Sequence, residues 1–319
     1  MPDPALDHAI ALGQAGRTQE AAAIFERLAQ AGNADALFLL ADLHWRGEPL
    51  PQNFIRGRQL FAAAALAGHA MARRATTNLM ASGIAGPRDW QGALMRLRLE
   101  AQEDRLRGHM LWLIDQMALT PQGDPTALPR GEQLSETPWV VRYPAVLSRA
   151  ECEYLTIISE PCFQPSMVID GGRDVRDPIR TSDGSTMHWL IEDPAVHALN
   201  RRIAGITGTH TSQGESLHVL RYRVGQQYRR HFDWVGNENR RIQTALIYLN
   251  DAYDGGETEF NKVGLKVRGQ PGDVLVFRNA GADGMLDKLT EHAGLPVTRG
   301  TKYLATRWIR ERRDPAFFD

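Results

Sequence analysis

Two rhythms of apolar and polar residues divide this chain. Over residues 1 to about 119, apolar positions recur at helical spacing, Ala and Leu dominate, and β-branched runs are nearly absent. The pattern also copies itself. Ala31-Gly-Asn-Ala-Asp-Ala-Leu37 aligns with Ala67-Gly-His-Ala-Met-Ala-Arg73 at an offset of 36, and Phe25, Phe61 and Leu97 share that register. Small Ala residues at helix crossings, with Gly47 and Gly83 placed to close helices, predict stacked helical hairpins in three partial units. The second unit departs from the first, because Arg73-Arg74-Ala75-Thr76-Thr77 stands where the first copy is apolar.

From Pro121 to Pro138 four prolines and two glycines interrupt any helix and predict a linker. Beyond it the vocabulary is short strands and turns. Trp139 to Tyr143 reads as an opening strand, and Ser148 with Glu151 three residues on forms a capping box that starts a helix. A polar, Gly-rich stretch from Asp170 to Gly184, with Gly171-Gly172 and alternating charges, predicts a mobile lid. Asp193 to Gly205 reads as a helix, and from Ser216 onward strands and Gly turns predict a sandwich or barrel. The expected organisation is a helical repeat domain over 1–119, a linker over 120–137 and a β domain over 138–319.

Composition narrows the function classes. Lys plus Arg at 37 against Asp plus Glu at 38 gives a net charge of −1, which argues against general nucleic-acid or membrane-surface binding. Cys152 and Cys162 are too few for a disulfide framework or a thiolate metal site. No leader pattern opens the sequence and no window has the roughly 20 apolar residues of a membrane span, so a cytoplasmic protein is expected. Phosphate-cradling Gly-rich loops, Cys-x-x-Cys pairs and His-Glu-x-x-His are also missing.

The chemistry concentrates at His231-Phe-Asp233. On an extended strand residues i and i+2 face the same way, so an imidazole and a carboxylate can share a metal. His292, in a distant strand, would complete two His and one carboxylate, the set that leaves positions open on non-haem iron. None of the other histidines has a comparable context.

The flanks carry a resemblance. Tyr222, Gly225, Tyr228, His231-Phe-Asp233, Arg241, Thr244, Tyr248, Gly255-Gly-Glu-Thr258, Pro271-Gly-Asp273, His292 and Gly300-Thr-Lys302 occur in the order and spacing of prolyl 4-hydroxylase-like Fe(II)- and 2-oxoglutarate-dependent oxygenases. The likeness spans roughly Trp139 to Arg310, and the N-terminal segment resembles Sel1-like, tetratricopeptide-related repeats. It implies an α-solenoid followed by a double-stranded β-helix, or jelly roll, with flanking helices. It further implies Fe(II) on His231, Asp233 and His292, with 2-oxoglutarate anchored by Lys302 and contacted by Thr258, Tyr222 and Tyr248. Arg241, Trp308 and Tyr228 would lie near substrate, and ascorbate would serve as reductant. The expected reaction is hydroxylation of a C–H bond with O2, most naturally of a prolyl residue in a protein or peptide, as 2-oxoglutarate becomes succinate and CO2. A free amino acid or small metabolite as substrate is the alternative within enzymes. A non-catalytic helical-repeat binding protein is the alternative outside them.

Overall fold

The computed structural model describes residues 3–170, 173–176, 179–236, 238–281 and 283–316, and of residues 168–170 and 173–176 only the backbone. Gly171-Gly172, at the start of the expected lid, lies outside the described residues. The helices α1 (Pro4–Gln14), α2 (Thr18–Gln30), α3 (Ala34–Arg46), α4 (Phe54–Leu66), α5 (Ala70–Ser82), α6 (Trp90–Glu100) and α7 (Arg105–Gln116) come first. Helices α2, α4 and α6 begin at 18, 54 and 90, and α3 and α5 at 34 and 70, so the sequence period is the structural period. Local chemistry sets these ends. Side chains of Asn33, Asn53 and Asp89 accept the exposed N–H groups of Ala36, Arg56 and Gly92, and His69 does the same for Ala72. Gly47 and Gly83 stop α3 and α5 in the left-handed conformation, at φ 84° and 76°.

Each of α1 to α5 packs on the next. Ala9, Ala36, Ala41, Ala64 and Ala72 are fully buried at the crossings, where a larger side chain would force the backbones apart. The core of this unit centres on Phe61, which is 0% exposed and meets Phe38 at 5.5 Å and Trp45 at 5.9 Å between ring centroids. The compact unit comprises Met1–Trp112, Trp189–Pro194 and Pro315–Asp319. Trp189 belongs to it through edge contacts with Trp45 and Phe54.

The second unit comprises Leu113–His188 and Ala195–Asp314. Its elements are β1 (Glu132–Ser135), β2 (Val140–Tyr143), α8 (Arg149–Ser159), β3 (Gln164–Pro165), β4 (Met167–Asp170), β5 (Arg173–Arg176) and β6 (Asp183–Met187). Then follow α9 (Pro194–Thr207), β7 (Leu217–Tyr222), β8 (Tyr228–His231), β9 (Arg241–Tyr248), β10 (Tyr253–Gly255) and β11 (Thr258–Phe260). Last come β12 (Leu265–Val267), β13 (Val274–Arg278), β14 (His292–Gly294), β15 (Val297–Gly300) and β16 (Lys302–Arg310). An antiparallel sheet in the order β1-β2-β13-β9-β16-β7-β6-β3 faces a smaller one, β12-β11-β14-β8, and β10 pairs with β15. This is the jelly roll.

Its two sheets are held together by aromatic and aliphatic side chains. Phe260 from the small sheet meets Phe277 from the large one edge-on at 5.1 Å, surrounded by Val140, Leu246, Tyr248, Leu275 and Leu304. The capping box at Ser148 is present, and Glu151 within it also binds Arg202 of α9 at 2.9 Å. Two short elements were not legible in the sequence. Strand β1 lies inside the Pro-rich stretch and pairs with β2, and β4 pairs with β5 as a hairpin in the expected lid. Among the described residues no helix is long and apolar enough to cross a membrane.

Because Phe61 fills the centre of the repeat packing with no solvent contact, Phe61→Ala should destabilise the helical unit by about 3–5 kcal/mol. Urea unfolding followed by helical circular dichroism measures it. A loss below about 1 kcal/mol would mean that the centre of this unit lies elsewhere.

Candidate active site

The pairing of β14 with β8 sets His292 directly opposite His231. Each imidazole is oriented from behind. Nδ1 of His231 donates to the Arg229 carbonyl at 2.8 Å, and Nδ1 of His292 to the Thr290 carbonyl at 2.9 Å. A carbonyl only accepts, so the proton sits on Nδ1 and each Nε2 lone pair faces forward. Strand β8 ends at His231, and Asp233 follows in irregular backbone rather than on the strand, yet its carboxylate reaches the same point. Its Oδ1 lies 3.6 Å from Nε2 of His231 and its Oδ2 3.6 Å from Nε2 of His292. The three donor atoms all fall within 4.8 Å of one another.

Two imidazole nitrogens and one carboxylate, each with its lone pairs aimed at a shared point, form a donor set that fits a divalent iron. Asp233 is 5% exposed. Burial raises its pKa, but contact with His231 and the fields of both imidazoles outweigh burial and hold the carboxyl below the usual range. Thr244 Oγ1 donates to Asp233 Oδ2 at 2.9 Å and accepts from Asn279 Nδ2 at 3.0 Å. Burial pushes the His292 pKa down to about 4, so this ring stays neutral and able to ligate at physiological pH. Phe277 and Phe260 pack on His292, and Tyr228 stacks on His231 at 3.4 Å.

Beside these donors lies a tight cavity of about 30 Å³. Tyr222, Tyr228, Thr258, Lys302 and Trp308 line it together with His231, Asp233 and His292, and Leu220, Leu246 and Leu304 form its apolar wall. Lys302 opens β16 opposite Tyr222 on β7, which turns both side chains inward. Two of the expected residues stand back from the cavity. Tyr248 is fully buried and touches it only through Thr258, whose Oγ1 accepts its hydroxyl at 3.1 Å. Arg241 grips Glu215 with two hydrogen bonds, at 2.6 and 2.8 Å, and covers the Trp308 ring at 4.2 Å. His218 stacks on that same indole at 6.0 Å.

Residues 217–310 match the sequence profile of the 2OG-Fe(II) oxygenase superfamily. Probable prolyl 4-hydroxylase 3 of Arabidopsis thaliana is 34% identical over 211 residues, covering 56% of this chain and 73% of the relative. The chain belongs to the prolyl 4-hydroxylase family of 2OG-Fe(II) oxygenases. Prolyl 4-hydroxylase 1 of the same plant is also 34% identical, over 57% of this chain and 72% of the relative. Among solved structures, the chain is similar to a viral collagen prolyl hydroxylase from Paramecium Bursaria Chlorella virus-1 in complex with 2OG. That similarity is 25% identity over 54% of this chain and 95% of the other, with TM-score 0.41. A Sel1 repeat protein from Oxalobacter formigenes is 24% identical over 30% of this chain and 40% of its own, with TM-score 0.28. Family membership implies an oxygenase that uses Fe(II) and 2-oxoglutarate.

For a family whose co-substrate is a dianion, the buried lysine is the telling electrostatic feature. Lys302 is 2% exposed, its Nζ donates to the Gly256 carbonyl at 2.7 Å, and it sits 5.6 and 5.7 Å from the rings of Tyr222 and Tyr248. Gly256 adopts φ 67°, and a Cβ there would press on Lys302 Cδ at 3.2 Å, so glycine serves both the turn and the approach. Burial drives the ammonium pKa from 10.5 down to about 8, with Glu257 raising and Arg268 lowering it.

The unfolded chain keeps this proton up to 10.5 and the folded one only to about 8. Holding the charge therefore costs folding free energy below pH 8, and that cost fades as pH rises toward 10.5. Lys302→Met should make the ligand-free protein more stable at pH 7, by on the order of 2 kcal/mol. The advantage should shrink between pH 8 and 10. Urea unfolding at several pH values reads both effects, and equal or lower stability of the variant at pH 7 contradicts this account of the charge.

Proposed function

We propose that this chain hydroxylates prolyl residues of a protein or peptide, with iron held by His231, Asp233 and His292 and 2-oxoglutarate anchored by Lys302. The observation that carries the reading is the juxtaposition in one cavity of two imidazoles, a carboxylate and a buried ammonium that makes no ion pair among the described residues. When bound, iron and 2-oxoglutarate supply the oxidation that places a hydroxyl on a C–H bond, with 2-oxoglutarate and O2 yielding succinate and CO2. The residues of the chain do the rest.

His231, Asp233 and His292 would hold the metal beside the cavity that Lys302 lines. Lys302 neutralises the distal carboxylate of 2-oxoglutarate, and the hydroxyls of Tyr222 and Thr258 stand ready to donate to it. Tyr248 acts one step back, fixing Thr258. Leu220, Leu246 and Leu304 keep water from the reacting centre. Tyr228 and Trp308 form the flat flanks against which a proline ring rests. Arg241 serves there by steadying Trp308 rather than by entering the cavity.

The prolyl assignment draws on relatives named prolyl 4-hydroxylases, including the alpha-1 subunit from Rattus norvegicus at 33% identity over 56% of this chain. We assign residues 1–119 to substrate-docking helical repeats, 120–137 to a connecting segment and 138–319 to catalysis. Ascorbate would keep the iron reduced, and a cytoplasmic setting fits two unpaired thiols, Cys152 and Cys162.

Incubating the full chain with Fe(II), 2-oxoglutarate, ascorbate and a synthetic proline-rich peptide should add one oxygen atom to a prolyl residue, with equimolar succinate. Mass spectrometry and succinate assay follow both. His292→Ala should lose metal and turnover together. Preference for free proline or another small metabolite over any peptide would overturn the substrate assignment, and full iron loading of His292→Ala would overturn the ligand set.

Thr244→Val removes the hydroxyl that orients Asp233 while keeping the side-chain volume. It should weaken Fe(II) binding roughly 10-fold or more, with 2-oxoglutarate affinity of the metal-loaded protein little changed. Metal titration gives the first value and calorimetry the second. Unaltered metal affinity would show that Asp233 needs no such support.

A further inference from the structure

The interface between α5 and α6 departs from the repeat that generates it. At the α3–α4 interface, one period earlier, Leu37 and Leu40 are buried and Phe38 packs on Phe61. The equivalent positions on α5 hold Arg73, Thr76 and Arg74. With the apolar filling gone, a groove of about 420 Å³ opens along α5, α6 and the turn at 101–104. Arg73, Arg74, Arg96, Leu99, Glu103 and Asp104 line it.

A buried polar network keeps this groove rigid. Arg107 Nε lies 2.8 Å from Glu100 Oε2, Thr77 Oγ1 donates to Glu100 Oε1 at 2.5 Å, and Arg107 Nη1 donates to Asn78 Oδ1 at 3.1 Å. Glu100 is thereby committed. Asp104 is committed too, to Arg74 at 2.6 Å and to the N–H of Leu106 at 2.9 Å. Arg96 donates Nε to Thr77 and makes no ion pair among the described residues. Among the described residues the one ion pair of Arg73 is a 3.9 Å approach to Glu103, whose side chain is 79% exposed. Next to these two guanidinium groups Leu99 is 66% exposed, and Met95, one turn earlier on the same face, is 61% exposed.

We propose that this groove docks an acidic stretch of polypeptide flanking the hydroxylated segment, with a carboxylate on Arg96 and Arg73 and an apolar side chain on Leu99. The inference rests on the peptide-hydroxylase reading above. Two cations with spare donors beside an exposed leucine match discrete carboxylates spaced by apolar residues. A continuous phosphate backbone would instead run against Glu103 and Asp104 on the rim.

The test uses the full chain and two fluorescein-labelled synthetic peptides with a central proline, one built of Glu and Leu and one with Gln for Glu. Fluorescence anisotropy should show binding of the acidic peptide, tighter at low salt. Affinity should fall about tenfold or more in Arg73→Gln/Arg96→Gln, as for loss of charge-assisted hydrogen bonds. The Gln peptide probes the same contact without altering the protein and should bind about as weakly. No binding of the acidic peptide by the native chain, equal binding of the Gln peptide, or undiminished binding by a double variant with native melting overturns the proposal. Hydroxylation of a short proline peptide without acidic residues keeps the two ideas apart. If it is hydroxylated while the acidic peptide fails to bind, docking is wrong and the activity stands. If the acidic peptide binds and neither peptide is hydroxylated, docking stands and the activity is wrong.

Discussion

The β8–β14 pairing is the constraint on which the site depends. It places His231 and His292 as Cα partners, and the carbonyls of Arg229 and Thr290 then fix both rings by taking their Nδ1 protons. Neither carbonyl belongs to a ligand, and each lies two residues before its histidine. The segment leading into each histidine therefore fixes its ring locally, while the β8–β14 register brings the two rings together, so a slip by one residue would turn one of them away from the other. The Phe260–Phe277 contact between the two sheets sits against His292 and resists such a slip with buried apolar surface.

The same core creates the electrostatic tension of the site. A cavity walled by leucines contains an ionised Asp233 and the ammonium of Lys302, both almost fully buried. Asp233 accepts a hydrogen bond from Thr244 within the fold, and its carboxyl is held below the usual range. Among the described residues Lys302 makes no ion pair; it has the Gly256 carbonyl, two aromatic faces and the field of Glu257, and burial still lowers its pKa. An under-compensated buried charge destabilises a protein by itself, which is why its partner is sought outside the chain. A dianionic co-substrate would return the stability that the fold gives up there.

Reading the sequence located the chemistry better than its support. His231, Asp233, His292 and Lys302 were legible because residue type, spacing and Gly-rich flanks all converge on them. Arg241 and Tyr248 were legible as family positions, but their distance from the cavity was not, since that depends on Glu215 and Thr258 capturing their polar ends. Thr244 and Asn279 behind Asp233 come from different strands, and no local pattern joins them. Strand β1 was hidden because proline content outweighed a weak β signal, whereas an edge strand of four residues needs only a partner. The helical period was fully legible, since Asn, Asp and Gly caps recur with it.

What the period could not convey is the reason for breaking it. A repeat gains stability by burying the same apolar face at each interface, so replacing Leu37 and Phe38 by Arg73 and Arg74 one period later gives up packing on the order of 1–3 kcal/mol per buried side chain. The Thr77–Glu100–Arg107–Asn78 network recovers part of this through satisfied hydrogen bonds, but two isosteric apolar layers would serve stability as well or better. Moreover, the network turns the Glu100 carboxylate toward Thr77 and Arg107, while Arg96 lines the groove. An arrangement built only for rigidity would have no cause to divide its charges in that way. The division of charge, rather than the groove's size, is what distinguishes a recognition surface from a packing defect.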